Sequence, residues 1–372
     1  MKLLIITHVL HKISNGDIYG YGPYIKEMNL WLKHVDKAKV LGPLDETSEI
    51  SKIDLCYEHK HIDFVKVPLF SLVTKREIVL TLFKLPILLF SIIKAMYWAD
   101  HIHLRCPGNM GLLGSLAQVL FPSKIKTAKY AGNWDPKSKQ PWSYNLQKFI
   151  LSSTFLSKNM KVLVYGEWPN QTKNALPFFT ASYKSSEIIE CEPRQFNGVI
   201  KLLFVGSLNH GKRPLLALES IKVMKDMNLN IHLDVMGDGT DREQLESYIH
   251  ENNLQNQVTL HGNQNARFVK EHYQQAHFLI LMSKSEGWPK VIAEAMFWGC
   301  VPISTNVSCV NYMMGEGTRG KVALVDATDI ATKISEYTLN EKLYKETSIA
   351  GMQWSRHYTL ESFDEAIGKV LS

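Results

Sequence analysis

The stretch His277 to Ser304, HFLILMSKSEGWPKVIAEAMFWGCVPIS, leaves little freedom in how this chain folds. It opens on an apolar run, His277 to Met282, with the length and composition of a buried strand. A turn through Ser285, Glu286, Gly287 and Trp288 leads to Pro289, which suits a first helical position because its missing N–H would be unpaired there. Val291, Ile292, Ala295, Met296 and Trp298 then recur at helical spacing. Gly299 closes the helix, and CVPIS resumes as a strand. Two carboxylates ride on this unit, Glu286 in the turn and Glu294 on the helix. A helix N-terminus beside a glycine turn attracts phosphate. A carboxylate one turn further in accepts hydrogen bonds from a vicinal diol, so a ligand with a phosphate and a ribose would use both.

The same alternation runs through the rest of the chain. VIKLLFVGSL, IHLDVMGDG and QVTLHGN read as strands, with helices at KRPLLALESIKVMKDM, after Thr240, and at ARFVKEHYQQA. Thr240 and Glu243 have the spacing of a capping box. An earlier series has strands at Lys2–Leu10, KAKVLGP, HIDFVKVP, His101–Leu104, KIKTAKY and MKVLVYG. Strands alternating with helices imply parallel sheets covered on both faces, and 372 residues suit two such domains. Residues 1–180 form the first and 198–356 the second. Between them, 181–197 loses periodicity and reads as a linker. Helices at 340–356 and 360–371 close the chain.

Composition excludes several classes. Contents of 45% hydrophobic and 21% charged residues are globular, not disordered. A net charge of +6 favours phosphorylated ligands or an anionic membrane surface without reaching a nucleic-acid signature. The five cysteines are scattered, without Cys-x-x-Cys pairs, and read as free thiols of a reducing compartment. His59, His61, His101 and His103 invite a metal reading. No Asp, Glu or Cys stands at ligand spacing to them, so no metal site is expected. Lys2–Leu10 is too short in its apolar core for a signal peptide. Ile78 to Ile93 is broken by Lys84 and Pro86 and falls short of the roughly 20 apolar residues of a span. A buried helix of the first domain is expected there, with a membrane-surface patch assisted by Lys75, Arg76, Lys84 and Lys94 as the alternative.

Two segments resemble the nucleotide-sugar site of the retaining glycosyltransferases of family 4, which have the GT-B fold. Ser283, Glu286-Gly287 and Glu294-Ala295 match that family's Ser-x-x-Glu-Gly and second Glu-Ala, with seven residues between the two glutamates. In FVGSLNHGKRP, Gly206, Leu208 and Lys212 match its Gly-Arg-Leu loop and lysine, while Ser207 and Arg213 depart from it. The resemblance implies an α/β protein of two Rossmann-like domains facing an interdomain cleft, with the C-terminal helix, 357–372, returning to an acceptor-binding first domain. It implies Glu286 beside the transferred sugar and Glu294 on the ribose. Lys212 would stabilise the diphosphate, and Ser207, Arg213, Gly287, Trp288, Lys290 and Val291 would line the donor. His261, Gly262 and Asn263 would frame the nucleobase.

The Gly16/Gly20/Gly22 loop looks like the first-strand loop of such enzymes, which places Gly16 near the donor. Its GYGPYI segment, Gly20 to Ile25, carries only two of the three glycines of a dinucleotide fingerprint, with Ile25 in the third place, so a nicotinamide enzyme is disfavoured. Tyr130 falls near the place of a family histidine. With Arg105, Asn133 and Asp135 it is an acceptor candidate.

The expected reaction moves a sugar from a nucleotide-diphosphate sugar to a glycan or lipid-linked hydroxyl, in polysaccharide or glycoconjugate assembly. It needs no cofactor, metal or nucleic acid, and its setting is the cytoplasm, with a peripheral membrane contact at the inner face. A nucleotide-sugar epimerase and a non-catalytic nucleotide-sugar-binding subunit remain the alternatives.

Overall fold

The computed structural model describes residues 1–51, 53–70 and 75–372 of the chain. It divides into two compact units, Met1–Phe178 with Asp364–Ser372, and Phe179–Phe363. The side chains of Lys75, Arg76, Ile78 and Leu80 lie outside the described residues.

The first unit is built on a seven-stranded parallel sheet. Strand β1 (Lys2–Ile6) leads to a hairpin, β2 (His11–Ser14) and β3 (Asp17–Tyr21), then helix α1 (Gly22–Leu32). There follow β4 (Lys37–Pro43), β5 (Asp54–Cys56), β6 (Ile62–Val67), α2 (Lys75–Trp98), β7 (His101–Cys106) and α3 (Asn109–Ala117). The unit continues with β8 (Ile125–Tyr130), α4 (Trp142–Ser152), β9 (Met160–Tyr165) and β10 (Ala175–Phe178). The strand order is β10-β9-β8-β7-β1-β4-β6, with β2, β3 and β5 in a separate antiparallel sheet. Leu3 to Ile6 are buried outright, as a strand covered on both faces requires.

Glycines expected to form one loop after β1 instead build that hairpin. Asn15 and Gly16, both at positive φ, form its two-residue turn, the strongest short-range hairpin signal a sequence can carry.

The second unit repeats the plan with six parallel strands. These are β11 (Ile200–Val205), β12 (Ile231–Met236), β13 (Val258–Gly262), β14 (Phe278–Leu281), β15 (Val301–Thr305) and β16 (Lys321–Ala323), in the order β13-β12-β11-β14-β15-β16. Its helices are α5 (Pro214–Asp226), α6 (Arg242–Glu251), α7 (Ala266–Tyr273), α8 (Lys290–Phe297), α9 (Val310–Met313), α10 (Ala327–Leu339) and α11 (Glu341–Ser355), and α12 (Leu360–Leu371) begins in it. Leu202, Phe204, Leu233, Phe278, Ile280 and Ile303 anchor its core.

Helix α6 begins at Arg242, two residues beyond Thr240, so no Thr240–Glu243 capping box forms. The Asp241 amide is held instead by the Leu208 carbonyl at 2.9 Å, which moves the helix start. The stretch 181–197, which loss of periodicity marks as a linker, is pinned within this unit. Arg194 donates to the carbonyls of Tyr273, Gln274 and Trp298 at 2.9, 3.2 and 2.6 Å. The last turns of α12, from Asp364, pack in the first unit.

Candidate active site

In a doubly wound sheet, ligands bind beyond the carboxyl ends of the strands where the strand order reverses. In the second unit that point lies between β11 and β14. The Gly206–Arg213 loop leaves β11, and the Ser283–Pro289 turn leaves β14. Backbone packing holds these loops. Gly206 donates to Met236 at 2.9 Å, Leu208 to Asp238 at 3.0 Å and Lys284 to Gly211 at 2.8 Å. Gly237 sits at φ +139, and a Cβ there would lie 1.9 Å from the Gly206 carbonyl oxygen, so only glycine lets the two loops pass.

On this frame the Lys212 ammonium pairs with the Glu286 carboxylate, both largely shielded from solvent. Two segments 74 residues apart thus converge on one ion pair. Lys212 stands just before α5, whose first amides point toward the same loop. Asn209 Oδ1 accepts from the Gly211 and Lys212 amides at 3.0 and 3.2 Å, fixing the bend. Ser207 is exposed and accepts from Asn209 at 2.9 Å. Arg213 turns inward and donates to the Met282 carbonyl at 3.1 Å, tying α5 to the end of β14. The Gly287 carbonyl accepts from Ser308 Oγ at 2.9 Å and Cys309 Sγ at 3.2 Å. Burial pushes the Cys309 thiol up to about 12, which keeps it a donor. Trp288 is buried against Trp354 and Tyr358, a packing position that its sequence neighbours do not announce.

Glu294 accepts from Ser182 Oγ at 2.5 Å and Tyr273 OH at 3.2 Å. With Lys290 it lines a small crevice that includes Thr180, Tyr183 and Tyr358. Val291 is half-buried on the first turn of α8. His261 turns its side chain to Asp234, Nε2 to Oδ1 at 2.7 Å, and its ring packs on Phe268 and His272. The backbone of Gly262, which accepts from the Gly237 amide at 2.9 Å, and exposed Asn263 remain at the strand's carboxyl end.

Among the described residues, Asp234, His261 and His272 form the group whose potential metal-ligand atoms lie within 4.8 Å of one another. The histidines that suggest a metal in the sequence do other work. His101 Nε2 and His103 Nδ1 share the Thr127 hydroxyl at 2.9 and 2.8 Å, and burial lowers His101 to about 4.

In the first unit the acceptor candidates are engaged structurally. Arg105 donates to Glu27 at 2.5 Å, and buried Lys129 lies 3.0 Å from the same oxygen. Tyr130 is buried edge-on to Trp134. Asn133 Oδ1 accepts from the Asp135 amide at 2.9 Å, and Asp135 Oδ1 from the Lys137 amide at 2.8 Å. Gly16 is exposed at the hairpin tip, where an added Cβ would meet none of the described residues beyond its chain neighbours within 4 Å.

None of these residues lines a cavity of about 550 Å³ in the first unit at the carboxyl end of β1. His8, Pro107, Gly108, Asn109, Trp142 and Tyr144 are among the residues that do, at the β1/β7 reversal of strand order. A Cβ on Gly108 would lie 2.9 Å from His8 Nδ1, so the glycine admits the ring. Burial, then Arg105, lowers the His8 pKa and keeps the imidazole neutral. Strand order, which no local pattern encodes, is what reveals this site.

Residues 187–354 match the family model described as glycosyl transferases group 1. Across both units the chain has the GT-B fold, shared with solved glycosyltransferase structures over its full length. The Anabaena HepE protein in complex with UDP superposes with a TM-score of 0.71, at 12% identity, over 100% of this chain and 99% of that one. An uncharacterized glycosyltransferase of Methanocaldococcus jannaschii is 28% identical over 169 residues, 45% of this chain and 46% of the relative. An alpha-1,4-N-acetyl-D-galactosaminyltransferase of Campylobacter jejuni is 32% identical over 106 residues, 28% of each chain. The chain thus spans less than half the length of these curated relatives.

Proposed function

We propose that the protein is a metal-independent, retaining glycosyltransferase of family 4. It moves a sugar from a nucleotide-diphosphate sugar to a hydroxyl of a glycan or lipid-linked acceptor, in polysaccharide or glycoconjugate assembly. The observation that carries this reading is the convergence of Lys212 and Glu286 where β11 and β14 reverse the strand order. Glycosyl transfer needs positive charge against a departing diphosphate and a polar group beside the sugar, and this pair supplies both. The group 1 family match over the same unit supports it. The name of the Campylobacter jejuni relative describes an undecaprenol-diphosphate-linked acceptor, which supports the lipid-linked option.

In the proposed reaction the bond between the anomeric carbon and the diphosphate oxygen breaks. The acceptor oxygen joins that carbon from the same face, and its proton passes to the departing diphosphate. Lys212 and the first amides of α5 and α8 meet the growing negative charge. Glu286 holds the sugar ring and orients Lys212. Glu294 takes the ribose hydroxyls in exchange for Ser182. Ser207, Gly287 and Lys290 complete the donor's contacts, and Gly262 with Asn263 frames the base through backbone. The first unit's cavity, with His8 and Asn109, takes the acceptor in place of Arg105, Tyr130, Asn133 and Asp135. Five free thiols suit a reducing cytoplasm, with the protein at a membrane's inner face.

A thermal-shift screen across nucleotide sugars tests donor binding, and NMR of the product formed from the best donor tests retention. A donor that binds and is transferred with its anomeric configuration kept supports the reading. Inversion removes the retaining mechanism. Interconversion of donor epimers without acceptor favours the epimerase, and binding without transfer to any hydroxyl favours the binding subunit.

A further inference from the structure

Helix α2 is apolar on two opposite faces. Leu88, Ile92, Ala95 and Met96 are buried in the first unit's core. On the other side, Val79, Leu82, Phe83, Ile87, Phe90 and Tyr97 are exposed, with Phe83 at 77%, Phe90 at 67% and Tyr97 at 79%. At 100° per residue these six fall on one arc of the helix, about 27 Å long. An aromatic side chain has about 150–250 Å² to bury, so these three alone present at least ~300 Å² of apolar surface. That already matches the largest patch of a typical monomeric protein.

The patch extends beyond α2. Helices α2, α3 and α4 join β6 to β7, β7 to β8 and β8 to β9, all stepping the same way along the sheet. Right-handed crossovers put all three on one face, and α2 packs on α3 as α3 does on α4. Leu120, Phe149 and Phe155 add exposed apolar groups on this side.

Charge indicates the occupant. From Ile78 to Trp98 there is no acidic residue, while Lys84 and Lys94 are present. Lys94 is exposed within the arc, between the directions of Phe83 and Ile87, and long lysine side chains reach from an apolar layer to anionic headgroups. The helix has the length and composition to cross a membrane, yet its inner face belongs to the core, which leaves it lying on a surface.

The cavity adjoins this helix. Leu69 and Phe70 form part of its wall, and Lys84 Nζ donates to the Leu69 carbonyl at 2.8 Å. Asn109, at the start of α3, donates to the Phe70 carbonyl at 3.4 Å. Trp142 stands exposed at the rim. We propose that the outer face of α2 docks on an anionic lipid bilayer and holds this cavity at the lipid surface, where it receives a membrane-borne acceptor. The acceptor's role rests on the transferase reading, whereas the docking does not.

Vesicle sedimentation with the full-length chain tests the docking. The protein should bind vesicles of equal phosphatidylcholine and phosphatidylglycerol, and bind pure phosphatidylcholine much less. The double variant Phe83→Ser/Phe90→Ser should keep its melting temperature and lose at least about tenfold in vesicle affinity. Wild type that ignores anionic vesicles, or a double variant that binds them equally, overturns the proposal. So does light scattering that shows a dimer broken by the double variant, because the face then belongs to a second copy. Brominated-chain phosphatidylcholine included in the vesicles should quench a part of the fluorescence that Trp142→Phe removes. Quenching unaffected by that substitution overturns the cavity's place at the lipid. Nucleotide-sugar thermal shifts in buffer separate the two claims. If vesicles bind and no donor does, the transferase reading fails and the docking stands; if donors bind and vesicles do not, the reverse holds.

Discussion

Lys212 and Glu286 meet through loop geometry that neither segment shows alone. A diphosphate brought to this loop competes for the same ammonium, so removing the lysine should harm the transition state more than the ground state. Lys212→Ala is expected to lower kcat by about 10²–10³, the usual cost of one preorganised charge donor, with a smaller change in donor Kd. Steady-state kinetics beside calorimetry checks the split. Glu294→Ala should act the other way, weakening donor binding by about 10–100-fold through lost charge-assisted hydrogen bonds, with kcat at saturating donor less affected. These side chains were legible in the sequence as residue types at a characteristic spacing. The inward turn of Arg213 and the burial of Trp288 were not, because both depend on what strand β14 and helix α11 bring alongside.

Buried histidines set a pH dependence at the same scale. Burial lowers both His11 and His101 to about 4. The unfolded chain accepts protons at these sites near 6.5, so their contribution is whole above that pH and is lost as the pH falls toward 4. The loss amounts to about 3 kcal/mol for each. Calorimetry at pH 7, 5.5 and 4.5 should show melting of the first unit falling steeply below pH 6. His101→Gln, which can keep the bond to Thr127, should flatten that fall; an unchanged slope would refute the assignment.

At the scale of elements, the donor frame depends on two loops crossing at Gly206 and Gly237. Gly237→Ala must shift one of them, with strain of about 1–3 kcal/mol from the positive φ alone. It should lower the melting temperature and abolish nucleotide-sugar binding together. Normal binding in a folded Gly237→Ala protein would show that the crossing does not shape the site. The strand–turn–helix–strand unit at His277–Ser304 was readable because its pattern is local: an apolar run, a glycine turn, a helical stripe. The β2–β3 hairpin carried an equally local signal in Asn15-Gly16. It was masked by Gly16, Gly20 and Gly22 together, which also fit a single first-strand loop. The cavity lined by His8 had no such signal, since its walls come from segments as far apart as Pro43 and Tyr144.

At the scale of the molecule, the chain finishes in the unit where it began. Helix α12 starts in the second unit, and from Asp364 onward its residues belong to the first. There Asp364 meets His34 at 2.8 Å and Lys33 at 3.4 Å, and Lys161 Nζ donates to the Val370 carbonyl at 3.0 Å. The exposed ion pairs contribute little. Ile367, Val370 and Leu371 are buried, and each is worth about 1.5–3 kcal/mol as an upper estimate. Removing residues 364–372 should therefore destabilise the first unit by several kcal/mol while leaving the second unit's contacts intact. Two-transition calorimetry should show one melting event shifted down by many degrees. Nucleotide-sugar thermal shifts of the other event should be unchanged, whereas transfer is lost. If instead the second unit's transition falls and its donor shift disappears, the final turns serve the donor unit, and the division of the chain after Phe363 is misplaced.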